Sequence, residues 1–161
     1  MGTNFISNSL VIILPKDNPA GIEQPEDLVN KCKLVTAQKE VPVGSYTLEI
    51  LEAYDKSLGN KYKEKVLKNL VSEENNVKQV LSKVVLGEAD AAFVYGSDVT
   101  ENNKDKLKVI QIPPQYNVKA DYWMGSIKGS ENNEIVQAFY NMVIGEEGIK
   151  IFQKYGFNKT Q

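Results

Sequence analysis

Leu10-Val11-Ile12-Ile13-Leu14 is an unbroken aliphatic run stopped by Pro15, and it restricts the fold more than any other stretch of the chain. A membrane-spanning helix needs about 20 apolar residues, so this run is far too short to be one. It has no polar alternation, so a strand built from it is buried on both faces. Leu34-Val35-Thr36-Ala37, Ala91-Ala92-Phe93-Val94-Tyr95 and Val109-Ile110-Gln111-Ile112 read as further strands, and Tyr122–Ile127 as extended chain. Helical patterns lie between them. A short helix opens at Gln24-Pro25, Leu48, Leu51 and Tyr54 share one face of a longer one, and Lys61–Leu70 forms a charged one. Val77, Val80, Leu81, Val84 and Val85 recur at helical spacing behind Asn75-Asn76 and before Gly87. Ile135, Phe139, Met142 and Val143 mark another helix, and Gly148–Tyr155 the last. Strands that alternate with helices predict an α/β fold with a mostly parallel sheet flanked by helices. In such sheets ligands bind at the carboxyl ends of strands, beside helix starts.

Composition narrows the chemistry. The net charge of −2 over 161 residues gives no footprint for nucleic acid or an anionic membrane. There is no histidine, so Ser45 and Ser97 lack the usual general base and the commonest metal ligand is missing. A lysine is the base that the sequence leaves open to either serine; an enzyme is not expected, nor a cofactor or bound metal. Cys32 is the single cysteine, which rules out an internal disulfide and reads as a core or edge thiol. All 19 basic residues are lysine, so an anion site here has no guanidinium fork. Met1-Gly2-Thr3 does not look like a signal peptide, and a trimmed leader is the expectation.

Three places offer neutral donors at a strand end or helix start. Pro42-Val43-Gly44-Ser45-Tyr46 follows a strand and opens a helix, whose first N–H groups carry partial positive charge. Asn75-Asn76-Val77-Lys78 opens another helix. Tyr95-Gly96-Ser97-Asp98 ends a buried strand and carries a hydroxyl donor, with Asp98 read as a cap or turn residue. Taken singly, each is also an ordinary turn, cap or core aromatic.

Their order along the chain is more specific. Asn8-Ser9-Leu10-Val11 leading to Pro15-Lys16, Val41-Pro42-Val43-Gly44 with Tyr46, Asn76-Val77, Gly87-Glu88-Ala89-Asp90 leading to Val94-Tyr95-Gly96-Ser97-Asp98, and Ile151–Phe157 together resemble the molybdate-binding proteins of ABC transporters, within the type-2 periplasmic-binding-protein fold. The resemblance runs from about Asn8 to Phe157.

It implies an extracytoplasmic solute-binding component, in the periplasm or lipid-anchored at the cell surface, that passes a small oxyanion, molybdate or tungstate, to a membrane permease. The implied donors are the backbone N–H of Val43, the backbone N–H of Val77 and the hydroxyl of Tyr95, with Pro42, Gly44, Ser45 and Asn76 in support. It also implies that residues 8–120 form the second lobe and residues 121–161 the crossover and C-terminal helices of a first lobe whose N-terminal part is missing. Two departures accompany it: position 43 is often alanine in the family, and no serine here matches the family's two N-terminal serine loops. Trp123, Phe139, Met142, Phe152 and Tyr155 are then expected to form an exposed apolar patch or to dock back on the remaining lobe, and an exposed patch would favour self-association. The alternative is a ligand-sensing effector domain of a regulator, although no helix-turn-helix or basic stripe is present.

Overall fold

The computed structural model describes residues 2–160. In chain order its main elements are β1 (Gly2–Asn8), β2 (Leu10–Pro15), β3 (Leu34–Ala37), α1 (Pro42–Leu58), α2 (Tyr62–Leu67), β4 (Leu70–Glu74), α3 (Val77–Val85), β5 (Ala91–Tyr95), β6 (Leu107–Gln111), β7 (Ala120–Gly125), α4 (Glu134–Ile144), α5 (Glu146–Lys154) and β8 (Asn158–Lys159). They fall into two compact units. One is Leu10–Val118; the other joins the residues through Ser9 to those from Lys119 onward.

The larger unit is a five-stranded sheet in the order β4-β3-β5-β2-β6. β3 pairs in parallel with both β4 and β5. β2 is antiparallel to β5 and to β6, so it alone runs against the other four. Every residue of β2 is buried, as its uninterrupted aliphatic sequence requires. Each such Leu or Ile side chain contributes about 1.5–3 kcal/mol by leaving water.

α1 covers the sheet with Val43, Thr47, Ile50, Leu51 and Tyr54, a stripe at helical spacing. Leu48, expected on that stripe, is only half-buried, because the stripe is set by Val43 and lies one residue off the expected face. Thr47 can sit in it because its hydroxyl donates to the Val43 carbonyl at 2.7 Å. α2 stops at Leu67 rather than running to Leu70. There the Asn69 side-chain amide turns away to the carbonyls of Leu28 and Asn30, and Leu70 starts a strand beside Leu34. α3 buries Val80 and Val84, and Gly87 ends it at φ +73°, a left-handed turn that favours glycine.

The smaller unit is a three-stranded antiparallel sheet, β7-β1-β8. β1 is polar along most of its length and β8 has two residues, so neither shows the aliphatic run that marks the other strands. Asn133 caps α4 by accepting from the N–H groups of Ile135 and Val136. Phe5, Phe152, Phe157 and Tyr122 pack edge to face in pairs, and Ile6 and Ile149 are the buried hydrophobic residues of this unit. Phe152 thus belongs to this small core, whereas Trp123, Phe139, Met142 and Tyr155 stand 67, 58, 59 and 60% exposed.

Candidate functional site

β4, β3 and β5 are adjacent and parallel, so their carboxyl ends share one edge of the sheet. The three donor positions follow those ends. Val43 lies in the first turn of the helix after β3, Val77 opens the helix after β4, and Tyr95 is the last residue of β5. Two strand spacings, roughly 10 Å, separate the outer two strands.

Gly44 is what allows α1 to begin where it does. A Cβ there would sit 2.1 Å from the Gln38 carbonyl oxygen and 2.4 Å from that of Ala37. The close approach that glycine permits is thus to the end of β3. The start of α1 has no side-chain cap, since Val41 stands at the capping position and Pro42 brings no N–H. A first-turn N–H such as that of Val43 has no carbonyl one turn back within the helix, so it is available to an acceptor. The Val43 side chain is 1% exposed and lies in the hydrophobic core, so valine in place of alanine leaves the edge itself open. Pro42 is exposed and Ser45 half-buried in the same turn.

Asn76 caps α3 by accepting from the Gln79 N–H at 3.0 Å, and the Asn75 N–H donates to the Gln79 side chain at 3.2 Å. That leaves the N–H groups of Val77 and Lys78 in the uncompleted first turn. Val77 is half-buried and stands across β3 from Tyr95.

The Tyr95 N–H donates to the Asp98 carboxylate at 2.8 Å, which holds the turn after β5. Burial pushes the Asp98 carboxyl above its ordinary pKa, and the Tyr95 N–H only partly opposes this. Tyr46, one turn into α1, meets the Tyr95 ring edge to face at a centroid separation of 6.5 Å. That contact joins the α1 start to the β5 end. Its signal in the sequence is an aromatic four residues after Pro42, which resemblance brings in but spacing alone does not single out.

The family model for bacterial extracellular solute-binding proteins matches residues 1–158. The chain belongs to that family. Over 158 residues it is 33% identical to a molybdate-binding protein of Mycobacterium bovis, covering 98% of this chain and 56% of that protein. It thus spans little more than half the length of that relative. A transporter substrate-binding domain from Clostridium difficile superposes with a TM-score of 0.85 at 30% identity, over 99% of this chain and 67% of that one. The periplasmic molybdate-binding protein of Azotobacter vinelandii shares the fold, with a TM-score of 0.71 at 17% identity over 99% of this chain and 68% of that one.

For a solute-binding protein, an edge that presents helix starts and a hydroxyl suits an anion. Backbone N–H groups and a tyrosine O–H are all donors, and aligned peptide dipoles add partial positive charge without a cationic side chain. Among the described residues no group of three or more His, Cys, Asp or Glu side chains is placed to hold a metal ion.

Proposed function

We propose that this solute-binding chain contributes one face of a site for a tetrahedral oxyanion, molybdate or tungstate, as the extracytoplasmic capture component of an ABC importer. The observation that carries this reading is the shared sheet edge, where the uncapped start of α1, the start of α3 and Tyr95 lie side by side. The molybdate-binding relative supports the choice of ligand. The donors are the N–H groups of Val43 and Val77 and the Tyr95 hydroxyl; Pro42, Gly44, Ser45 and Asn76 shape the turns that present them. A site made only of donors suits a fully deprotonated dianion, and a protonated phosphate would bring an O–H with no acceptor to meet.

In this reading Leu10–Val118 is the core of one lobe, and the remaining residues belong to the other. The chain binds and releases its anion unchanged, without turnover or cofactor. Its macromolecular partner is the membrane permease, and it works outside the cytoplasm, free in the periplasm or held at the surface by a lipid. A second copy of the chain is a further partner in this reading, supported by the exposure of Trp123, Phe139, Met142 and Tyr155.

Isothermal titration with molybdate, tungstate, sulfate and phosphate tests the ligand. Preference for the first two by at least tenfold is the expected result. Equal binding of all four, or of none, would overturn it.

A further inference from the structure

Leu10 lies at the point where β2 loses its neighbour on one side. The first rung between β2 and β6 at this end is Val11 with Gln111, and Pro113 and Pro114 follow shortly after on the β6 side. β6 ends at Gln111, one residue short of the position opposite Leu10, and the Pro113-Pro114 pair that follows turns the chain out of the ladder. Yet Leu10 is 0% exposed, and its buried N–H and C=O need partners.

Asn117 supplies both. Its Oδ1 accepts from the Leu10 N–H at 3.2 Å, and its Nδ2 donates to the Leu10 carbonyl at 2.8 Å. The same Oδ1 accepts from the Val118 N–H at 2.8 Å. One side chain thus imitates a strand residue. Aspartate has no N–H to give, leucine offers neither group, and glutamine is one methylene too long.

On its other side Leu10 is paired with Tyr95. The N–H and C=O of a strand residue point the same way, so with both turned to Asn117, Leu10 faces Tyr95 as a non-hydrogen-bonded pair. The Tyr95 N–H is turned to the Asp98 carboxylate. A non-hydrogen-bonded antiparallel pair brings its two residues closest, with Cα atoms about 4.5 Å apart, so Leu10 is the packing neighbour that sets the β2 side of Tyr95. Leu10 and Val118, which Asn117 binds together, are also the residues at which the chain enters and leaves this unit.

We infer that Asn117 is a positioning residue for Tyr95, closing the open end of β2 so that the tyrosine is presented in one place at the strand-end edge. The ligand readout rests on the oxyanion reading; the positional one does not.

Asn117→Ala and Asn69→Ala make a matched pair, because each removes a side-chain amide that binds two positions of the backbone. Asn69 lies just before β4, at the opposite end of that strand from Val77. Both variants should melt at a lower temperature. Only Asn117→Ala should speed hydrogen exchange of the Leu10 amide at least tenfold, shift the Tyr95 ring resonances and weaken molybdate binding by about tenfold. An Asn117→Ala protein with wild-type Tyr95 resonances would overturn the inference, as would unchanged affinity in a wild-type background that binds. If the wild-type chain binds no molybdate, the oxyanion reading falls, and the Tyr95 resonances alone decide the role of Asn117. Should Asn117→Ala not fold, Asn117→Ser, which retains a hydroxyl near Leu10, provides the same readouts.

Discussion

The rings of Tyr46 and Tyr95 meet edge to face with their centroids 6.5 Å apart. The contact holds the start of α1 against the end of β5 through carbon edges and faces, so the Tyr95 hydroxyl is not needed for it. Tyr95→Phe should therefore keep this ring contact while removing the hydroxyl donor. Hydrogen bonds to charged groups contribute about 1.5–3 kcal/mol, so molybdate affinity should fall by roughly 10- to 150-fold. Calorimetric titration beside thermal melting checks this. Unchanged affinity would remove Tyr95 from the ligand set.

Gly44→Ala should be costly for a reason unrelated to ligand. Its Cβ would fall 2.1 and 2.4 Å from two carbonyl oxygens of the backbone, which cannot swing aside as a side chain can. Overpacking of this kind costs on the order of 3 kcal/mol, and relief would move the α1 start away from β3. Urea denaturation should show a lower midpoint. A variant as stable as the wild type would mean that the turn tolerates the methyl group and that glycine serves some other end.

The elements that carry these residues were legible to unequal degrees. The strands β2, β3 and β5 announce themselves as aliphatic runs, and α3 by its four valines and one leucine at helical spacing with Asn76 before and Gly87 after. What decides their adjacency is strand order, which no local pattern encodes; the fact that β2 alone runs against its neighbours appears only in the pairing. β1 is not legible in the sequence, because Gly2-Thr3-Asn4-Phe5-Ile6-Ser7-Asn8 has little apolar character and pairs with residues more than a hundred positions away. The donor positions came from helix starts and a strand end. The groups that hold them came only from the fold: Asn117 is one polar residue in a loop, and its partner Leu10 is 107 positions distant.

Asp98 gives a pH signature. Burial raises its carboxyl pKa above the ordinary 3.8, against a smaller lowering by the Tyr95 N–H. A carboxyl that titrates higher folded than unfolded keeps its proton longer in the native state. Its favourable contribution is full below pH 3.8 and is lost as the pH rises through the folded value. Asp98→Asn keeps an oxygen for the Tyr95 N–H and never ionises. The stability of the variant relative to wild type should therefore grow as the pH rises from 3 towards 7, measured by denaturant unfolding across that range. A constant difference would show that the carboxyl titrates alike in both states.

Tyr54 presents the opposite case, a polar atom with nothing to hold. Its hydroxyl is buried without a hydrogen-bond partner, while its ring stacks on Tyr116 at 4.1 Å and tilts against Tyr62 at 5.4 Å. Burying an unsatisfied hydroxyl costs about 1–3 kcal/mol. Tyr54→Phe keeps the ring contacts and removes that cost, so the melting temperature should rise by a few degrees. A clear fall would reveal a partner for the hydroxyl, an ordered water being the simplest.

Self-association should trace to the smaller unit. Ile135, Phe139 and Met142 lie at helical spacing along α4 and are all exposed, as are Ile151 on α5, Tyr155 just past its end and Trp123 on β7. Exposed apolar residues at this density drive association when nothing covers them. Sedimentation velocity over a hundredfold concentration range should show a dimer that the double change Phe139→Ser and Met142→Ser dissolves. Since α4 contributes no fully buried residue, the double variant should melt within a few degrees of wild type. A wild-type chain that stays monomeric throughout the range would end the proposal that a second copy is a partner, and would leave the exposed face to another polypeptide.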